Sequence, residues 1–193
     1  HKPLKIMNIE ILSGSPRTES VTHRVALFLQ QHLRANTDHQ VGILDVREWD
    51  LPLLQDVFTS VEITPERFKP LSQRIFDAQA FILVTPEYNG SYTPALKNLL
   101  DHYPKQQHKA FGIATASPGP MGGMRATQQM QLLINALFGI ASPYMLVVGG
   151  VDKKFDAAGN LIDPAYQKAI DTFTKEFLWL AERLHPVHEV AGL

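Results

Sequence analysis

The chain has 193 residues, a formal net charge of -1 and no cysteine. One domain is the default at this length, with a core over residues 5–185. A near-zero charge without a basic stripe argues against a nucleic-acid partner, and the lack of cysteine excludes a disulfide framework, a thiolate metal site and a cysteine nucleophile.

The opening residues His1-Lys2-Pro3-Leu4-Lys5 contain no apolar h-region, so no signal peptide is expected there. With no cysteine, the setting expected is cytoplasmic. Five apolar runs then read as strands, at residues 6–12, 41–46, 80–85, 110–115 and 144–148. Most are continuously apolar, as strands covered on both faces should be. Segments with helical spacing lie between them. Val21, Val25, Phe28, Leu29 and Leu33 share a face, as do Phe68, Leu71, Ile75 and Phe76. Leu96, Leu99, Leu100 and Tyr103 follow i, i+3, i+4, i+7, and Met130, Leu133, Ile134 and Leu137 repeat that spacing. The last helix carries Tyr166, Ile170, Phe173, Phe177, Leu180 and Leu184. Residues 126–151 carry no charge, but their Gly, Gln and Pro content breaks them into two elements, so no membrane insertion is expected.

Alternating strands and helices specify α/β with a parallel sheet and helices on both faces, either flavodoxin-like or a classic Rossmann half-fold. Ligands of such sheets sit outside the carboxyl ends of the strands, so the strand-to-helix loops carry the chemistry.

Three loops stand out. Loop one, Ser13-Gly14-Ser15-Pro16-Arg17-Thr18-Glu19-Ser20, is neither a dinucleotide fingerprint nor a Walker A loop. It offers a tight turn at Gly14, hydroxyls at Ser15 and Ser20, a forked cation at Arg17 and a helix N-terminus, the donors a phosphate monoester needs. A plain helix cap on Ser20 or Thr18 is the competing explanation. Arg17 tilts the balance toward a phosphate, because a cation at a helix N-terminus opposes the dipole unless an anion is there too. Loop two, Pro86-Glu87-Tyr88-Asn89-Gly90-Ser91, makes a turn at Asn89-Gly90 whose backbone N–H groups would meet a planar heterocycle, with Glu87 supporting from behind. Tyr88 either stacks on that ring or packs the loop. Loop three, residues 114–125, has two Pro and three Gly before Arg125, so it is rigid and leaves room for close approach of a ring. One mononucleotide accounts for all three loops.

These residues resemble the NAD(P)H-dependent FMN reductase family. The resemblance rests on Gly14-Ser15-x-Arg17-x-x-Ser20, on Thr85-Pro86-Glu87-Tyr88-Asn89-Gly90-Ser91 with Pro94-x-Leu96-Lys97-Asn98-x-x-Asp101, and on Ser117-Pro118-Gly119-x-x-Gly122-Gly123-x-Arg125. It implies a flavodoxin-like three-layer sandwich with a five-stranded sheet in the order 2-1-3-4-5. It implies bound FMN, with NADPH or NADH as co-substrate, and a homodimer or dimer of dimers. Ser15, Arg17 and Ser20 would hold the FMN phosphate; Pro86, Glu87, Tyr88, Asn89, Gly90, Ser117 and Gly119 would line the isoalloxazine. The chain departs from the family at His102, where a Trp is common, and at Thr93-Pro94-Ala95, where Pro-Gly is common; both lie near the expected dimer contact and the mouth of the site.

The implied activity is hydride transfer from nicotinamide to FMN, then to a small acceptor such as a quinone, azo compound, metal oxyanion or free flavin, with ping-pong kinetics. No catalytic side chain is assigned, since flavin chemistry resides in the cofactor. The alternative is a flavodoxin-like electron carrier acting on protein partners, although such carriers often bear a strongly acidic surface. No metal is expected: there is no His-Glu-x-x-His pattern, and His185 and His188 flank Pro186, which breaks any helix there. No Gly-x-Ser-x-Gly elbow is present either.

Overall fold

The computed structural model describes residues 5–185. Their framework is β1 (Asn8–Ser13), α1 (His23–Asn36), β2 (Gln40–Asp45), α2 (Lys69–Asp77), β3 (Ala80–Thr85), α3 (Pro94–Asp101), β4 (Ala110–Ser117), α4 (Met124–Ala136), β5 (Ile140–Ala141), β6 (Leu146–Gly149), α5 (Val151–Lys154) and α6 (Gln167–Leu184). All strand pairs are parallel, in the order β2-β1-β3-β4-β5, with β6 also on β4. This is the flavodoxin-like sandwich. No helix among the described residues is long and apolar enough to cross a membrane. Of the two histidines considered as a metal pair, His188 lies outside the described residues.

Side chains alternate across the sheet as a two-residue period requires. Ile9, Ile11, Ala80, Ile82 and Val84 face one helical layer, packing with Val25, Leu29 and Leu33 of α1 and Phe173 and Phe177 of α6. Leu12, Phe81, Leu83, Phe111 and Ile113 face the other, against α2, α3 and α4. Phe173 and Phe177 are fully buried, each stabilising the fold by up to about 3 kcal/mol in removed apolar surface.

The fifth sheet position departs from expectation. Two short pieces replace one strand at 144–148. Phe111 faces Ala141 and Ala114 faces Leu146, so three steps on β4 oppose five on its neighbour and two residues bulge out. The bulge contains Pro143, which has no N–H to give a ladder. Ser142 closes it, its N–H donating to Phe111 O at 2.7 Å.

The other end of the sheet is strand β2, where side chains take the backbone carbonyls. Gln30 Nε2 (3.1 Å) and Arg34 Nε (3.0 Å), both from α1, donate to Val41 O. Arg74 of α2 donates to Ile43 O at 2.9 Å and forks onto Glu10 of β1 at 2.9 and 2.6 Å. The long connection from β2 to α2 is pinned at Phe58, whose N–H donates to His102 O at 2.7 Å and whose ring packs on Phe68, His102 and Tyr103.

Candidate functional site

Strand order reverses between β1 and β3, since β1 connects to β2 on one side and β3 lies on the other. Ligand crevices form at such switch points. Loop one leaves β1 there and loop two leaves β3. They are tied together at the start: Gly14 N–H donates to Val84 O at 2.8 Å. Buried Thr93 adds a second tie. Its hydroxyl donates to Gly14 O and accepts from Leu96 N–H, capping α3.

Loop one ends in a cap as well. Ser20 Oγ accepts from His23 N–H, the first residue of α1, at 3.2 Å. Capping occupies an oxygen lone pair and leaves the Ser20 proton available to another acceptor. The cap and the phosphate contact therefore do not compete. Ser15 is buried and Arg17 is exposed; among the described residues, the Arg17 guanidinium makes no hydrogen bond or ion pair.

Loop two is a hairpin turn. Tyr88 N–H donates to Ser91 O at 2.8 Å and Ser91 N–H to Tyr88 O at 3.2 Å. Asn89 and Gly90 both have positive φ, 51° and 84°, as a type I′ turn requires at its two central residues. Among the described residues, the backbone N–H groups of Asn89 and Gly90 have no partner. Glu87 reaches toward α4: its carboxylate accepts from Arg125 N–H at 3.1 Å, at the N-terminus of α4, with the Arg125 guanidinium at 3.7 Å. Loop three is shorter than expected because β4 runs on to Ser117. Gly119 O then gathers three donors, Ser117 Oγ at 3.0 Å, Gly122 N–H at 3.4 Å and Gly150 N–H at 3.1 Å.

The three loops meet in one cavity of about 160 Å³. Ser15, Arg17 and Ser20 line it from loop one, Pro86, Glu87 and Tyr88 from loop two, and Ser117 from loop three. A match to the family model for NADPH-dependent FMN reductase covers residues 7–151 and takes in all of these. The chain belongs to that family. As a member of the NADPH-dependent FMN reductase family it is an NAD(P)H-dependent FMN oxidoreductase, with FMN as its cofactor. It is 28% identical over 175 residues to an FMN-dependent NADPH-azoreductase of Staphylococcus aureus, covering 87% of this chain and 92% of that protein. The fold is similar to a flavoenzyme NAD(P)H:(acceptor) oxidoreductase, FerB, of Paracoccus denitrificans, with a TM-score of 0.77, 23% identity, and coverage of 92% of this chain and 98% of that one. It is also similar to an NADH:FMN oxidoreductase, EMOB, in its apo form, with a TM-score of 0.68, 21% identity, and coverage of 90% and 89%.

The residues present fit the family's cofactor. A phosphate would meet the Arg17 fork, a spare Ser20 proton and a helix N-terminus, while the turn at Asn89-Gly90 offers N–H donors to the carbonyls of a flavin ring. Of the ten residues expected to bind FMN, seven line the cavity. Asn89, Gly90 and Gly119 do not. At the two departures noted in the sequence, Pro94 is exposed and Ala95 half-buried. His102 is 1% exposed beneath Phe58, with Nδ1 2.6 Å from Asn98 O, and Thr93 is the buried tie to Gly14.

Sequence reasoning missed a polar group behind loop one. Ser13 and Asp45 are register partners at the carboxyl ends of β1 and β2. His23 Nδ1 lies 2.8 Å from Ser13 Oγ and 3.6 Å from Asp45 Oδ2. Arg47 forks onto Asp45 at 2.9 and 2.6 Å, and its Nη1 donates to Arg17 O at 3.4 Å and Thr18 O at 3.1 Å. Burial pushes the His23 imidazole below its ordinary value; Asp45 opposes this and Arg47 adds to it. Burial alone would raise the Asp45 carboxyl, but the hydrogen bonds and charge of Arg47 outweigh it and hold the group below the usual range. Polar residues at the carboxyl ends of strands were the available signal.

Proposed function

We propose that loops one, two and three hold FMN against the carboxyl edge of the sheet and that one open face serves nicotinamide and acceptor in turn, giving ping-pong kinetics. The observation that carries this is the single cavity lined by Ser15, Arg17, Ser20, Pro86, Tyr88 and Ser117. Bound FMN supplies hydride and electron transfer. The chain supplies position and charge. Ser15, Arg17 and Ser20 take the phosphate. Asn89 and Gly90 N–H groups, fixed in their turn before any ligand arrives, suit the negative charge that a reduced ring would carry. Glu87 works from behind as the cap of α4 and keeps loops two and three in register. An azo compound is the acceptor to try first, because the Staphylococcus aureus relative is an azoreductase; a quinone, a metal oxyanion and free flavin follow.

An absorbance spectrum after FMN addition and desalting, then anaerobic NADPH, tests this reading. Flavin bands are expected to be retained and to bleach within seconds. Bands that persist under both NADPH and NADH would instead identify an electron carrier, and loss of flavin with no turnover in excess FMN would sink both readings.

The same reading gives the enzyme a second copy of itself as partner. Residues 126–151 contain no charged side chain, and Met124 (50%), Leu132 (64%) and Phe138 (57%) are exposed along α4 and its end. Around Leu132 the face is uncharged, with Gln128, Gln131 and Asn135 beside it, and Arg125 and Lys105 stand only at its two ends, so it can meet itself across a two-fold axis with little charge repulsion. Light scattering is expected to give at least twice the chain mass, and Leu132→Glu to return it to one chain; a single-chain mass for the unaltered protein would refute the pairing.

A further inference from the structure

Loop one is held at three places. Gly14 is tied to β3 and Thr93, Ser20 caps α1, and the middle, at Arg17 and Thr18, is held by Arg47 alone among the described residues. Arg47 is itself immobilised. Asp45, buried at the end of β2, accepts from its Nε, Nη2 and backbone N–H, and His23 packs behind the carboxylate at 3.6 Å. A second cavity, of about 440 Å³, lies on this side of the loop and is lined by Arg47, His23 and Thr18, whereas Arg47 has no part in the first cavity. Loop one is therefore a wall between the two.

We propose that Asp45 and Arg47 are positioning residues that set the middle of loop one for the phosphate; this rests on the FMN reading above. The physical reason is the peptide plane. In a trans peptide, C=O and the following N–H point in opposite directions, and no peptide among the described residues is cis. Arg47 draws Arg17 O and Thr18 O toward itself, so the N–H groups of Thr18 and Glu19 point away from it, and Glu19 is the one of the two that lines the first cavity. Backbone N–H groups held in advance are strong anion donors. Arg47 does this without adding net charge to the wall, because Asp45 offsets it. Arg17 then grips the phosphate by its side chain, while Arg47 acts through the Arg17 backbone.

The test compares two probes that differ only in the phosphate, FMN and riboflavin, by titration against the unaltered protein, Arg47→Ala, Arg47→Lys and Asp45→Asn. Arg47→Ala is expected to raise the Kd for FMN roughly tenfold, the scale of hydrogen bonds to a charged group, and to leave the Kd for riboflavin unchanged. Arg47→Lys should recover part of the loss, since an ammonium donates to carbonyls but cannot fork onto Asp45. Asp45→Asn keeps the volume and should shift the FMN-to-riboflavin ratio in the same direction if Arg47→Ala fails to fold. An unchanged ratio in Arg47→Ala and Asp45→Asn, or equal losses for both probes, would overturn the positioning role while leaving FMN binding intact. An unaltered protein that does not prefer FMN to riboflavin would overturn the phosphate reading of loop one itself.

Discussion

Replacing Arg17 with Ala is expected to weaken FMN binding by about 1.5–3 kcal/mol, the usual value of a hydrogen bond to a charged group, while leaving the flavin-free protein at least as stable as before. The two halves of this expectation have different causes. Arg17 is exposed and bonds to nothing else among the described residues, so its loss removes no structural contact, and such surface changes stay within about 0.5 kcal/mol. A cation ahead of the N-terminus of α1 is also unfavourable without an anion, so removing it relieves a small repulsion. With FMN present the sign reverses, because the fork onto the phosphate is lost. Melting curves should therefore cross over: with saturating FMN the variant melts below the unaltered protein, and without it the two coincide or the variant melts higher. If FMN stabilised both proteins equally, the phosphate would not lie on Arg17.

The second large effect is expected at Gly122. Its φ is +62°, and a Cβ there would stand 2.7 Å from Gly149 N and 2.8 Å from Val148 C. Both are backbone atoms of β6 and cannot rotate away. Loop three is laid directly on that strand, so Gly122→Ala would combine the left-handed penalty with forced separation of loop and strand. A loss of roughly 2–5 kcal/mol follows from adding the two costs, or about 2–4 °C of Tm per kcal/mol in a chain of this size. Gly150→Ala separates the causes. Gly150 has a similar φ of +60°, but nothing lies within 4 Å of its Cβ position, so only the backbone penalty applies. Gly122→Ala should melt well below Gly150→Ala and lose FMN affinity as loop three shifts; equal melting points would show that the contact with β6 carries no weight.

The parts of this molecule that could be read from sequence are those whose signals are local. The helical spacings of α1, α3, α4 and α6 announce the buried faces later found, because each face is covered along its whole length. The three loops announce themselves through residue types that a plain turn does not need, Arg17 above all. What escaped notice depends on contacts between distant segments. The split of the fifth sheet position requires knowing how β5 and β6 register on β4. Glu87 reads as a supporting carboxylate, but only the fold shows that it supports α4 from 38 residues away. Asp45 and Arg47 look like ordinary loop entry until β2 lies beside β1. Glu10 is the one charged residue in the run 6–12, and its partner Arg74 is 64 residues later.

That last pair belongs to the arrangement along β2, the outermost strand. An open strand normally offers carbonyls and amides to any extended segment that drifts alongside, which is how native sheets recruit one another into fibres. Here the outward acceptors at Val41 and Ile43 are already occupied by Gln30, Arg34 and Arg74, and two of those three groups carry positive charge. An approaching strand would have to displace charged donors to find a single acceptor. The side chains that complete the hydrogen bonding of β2 thus also protect the folded chain from templated self-association, at the end of the sheet away from α4.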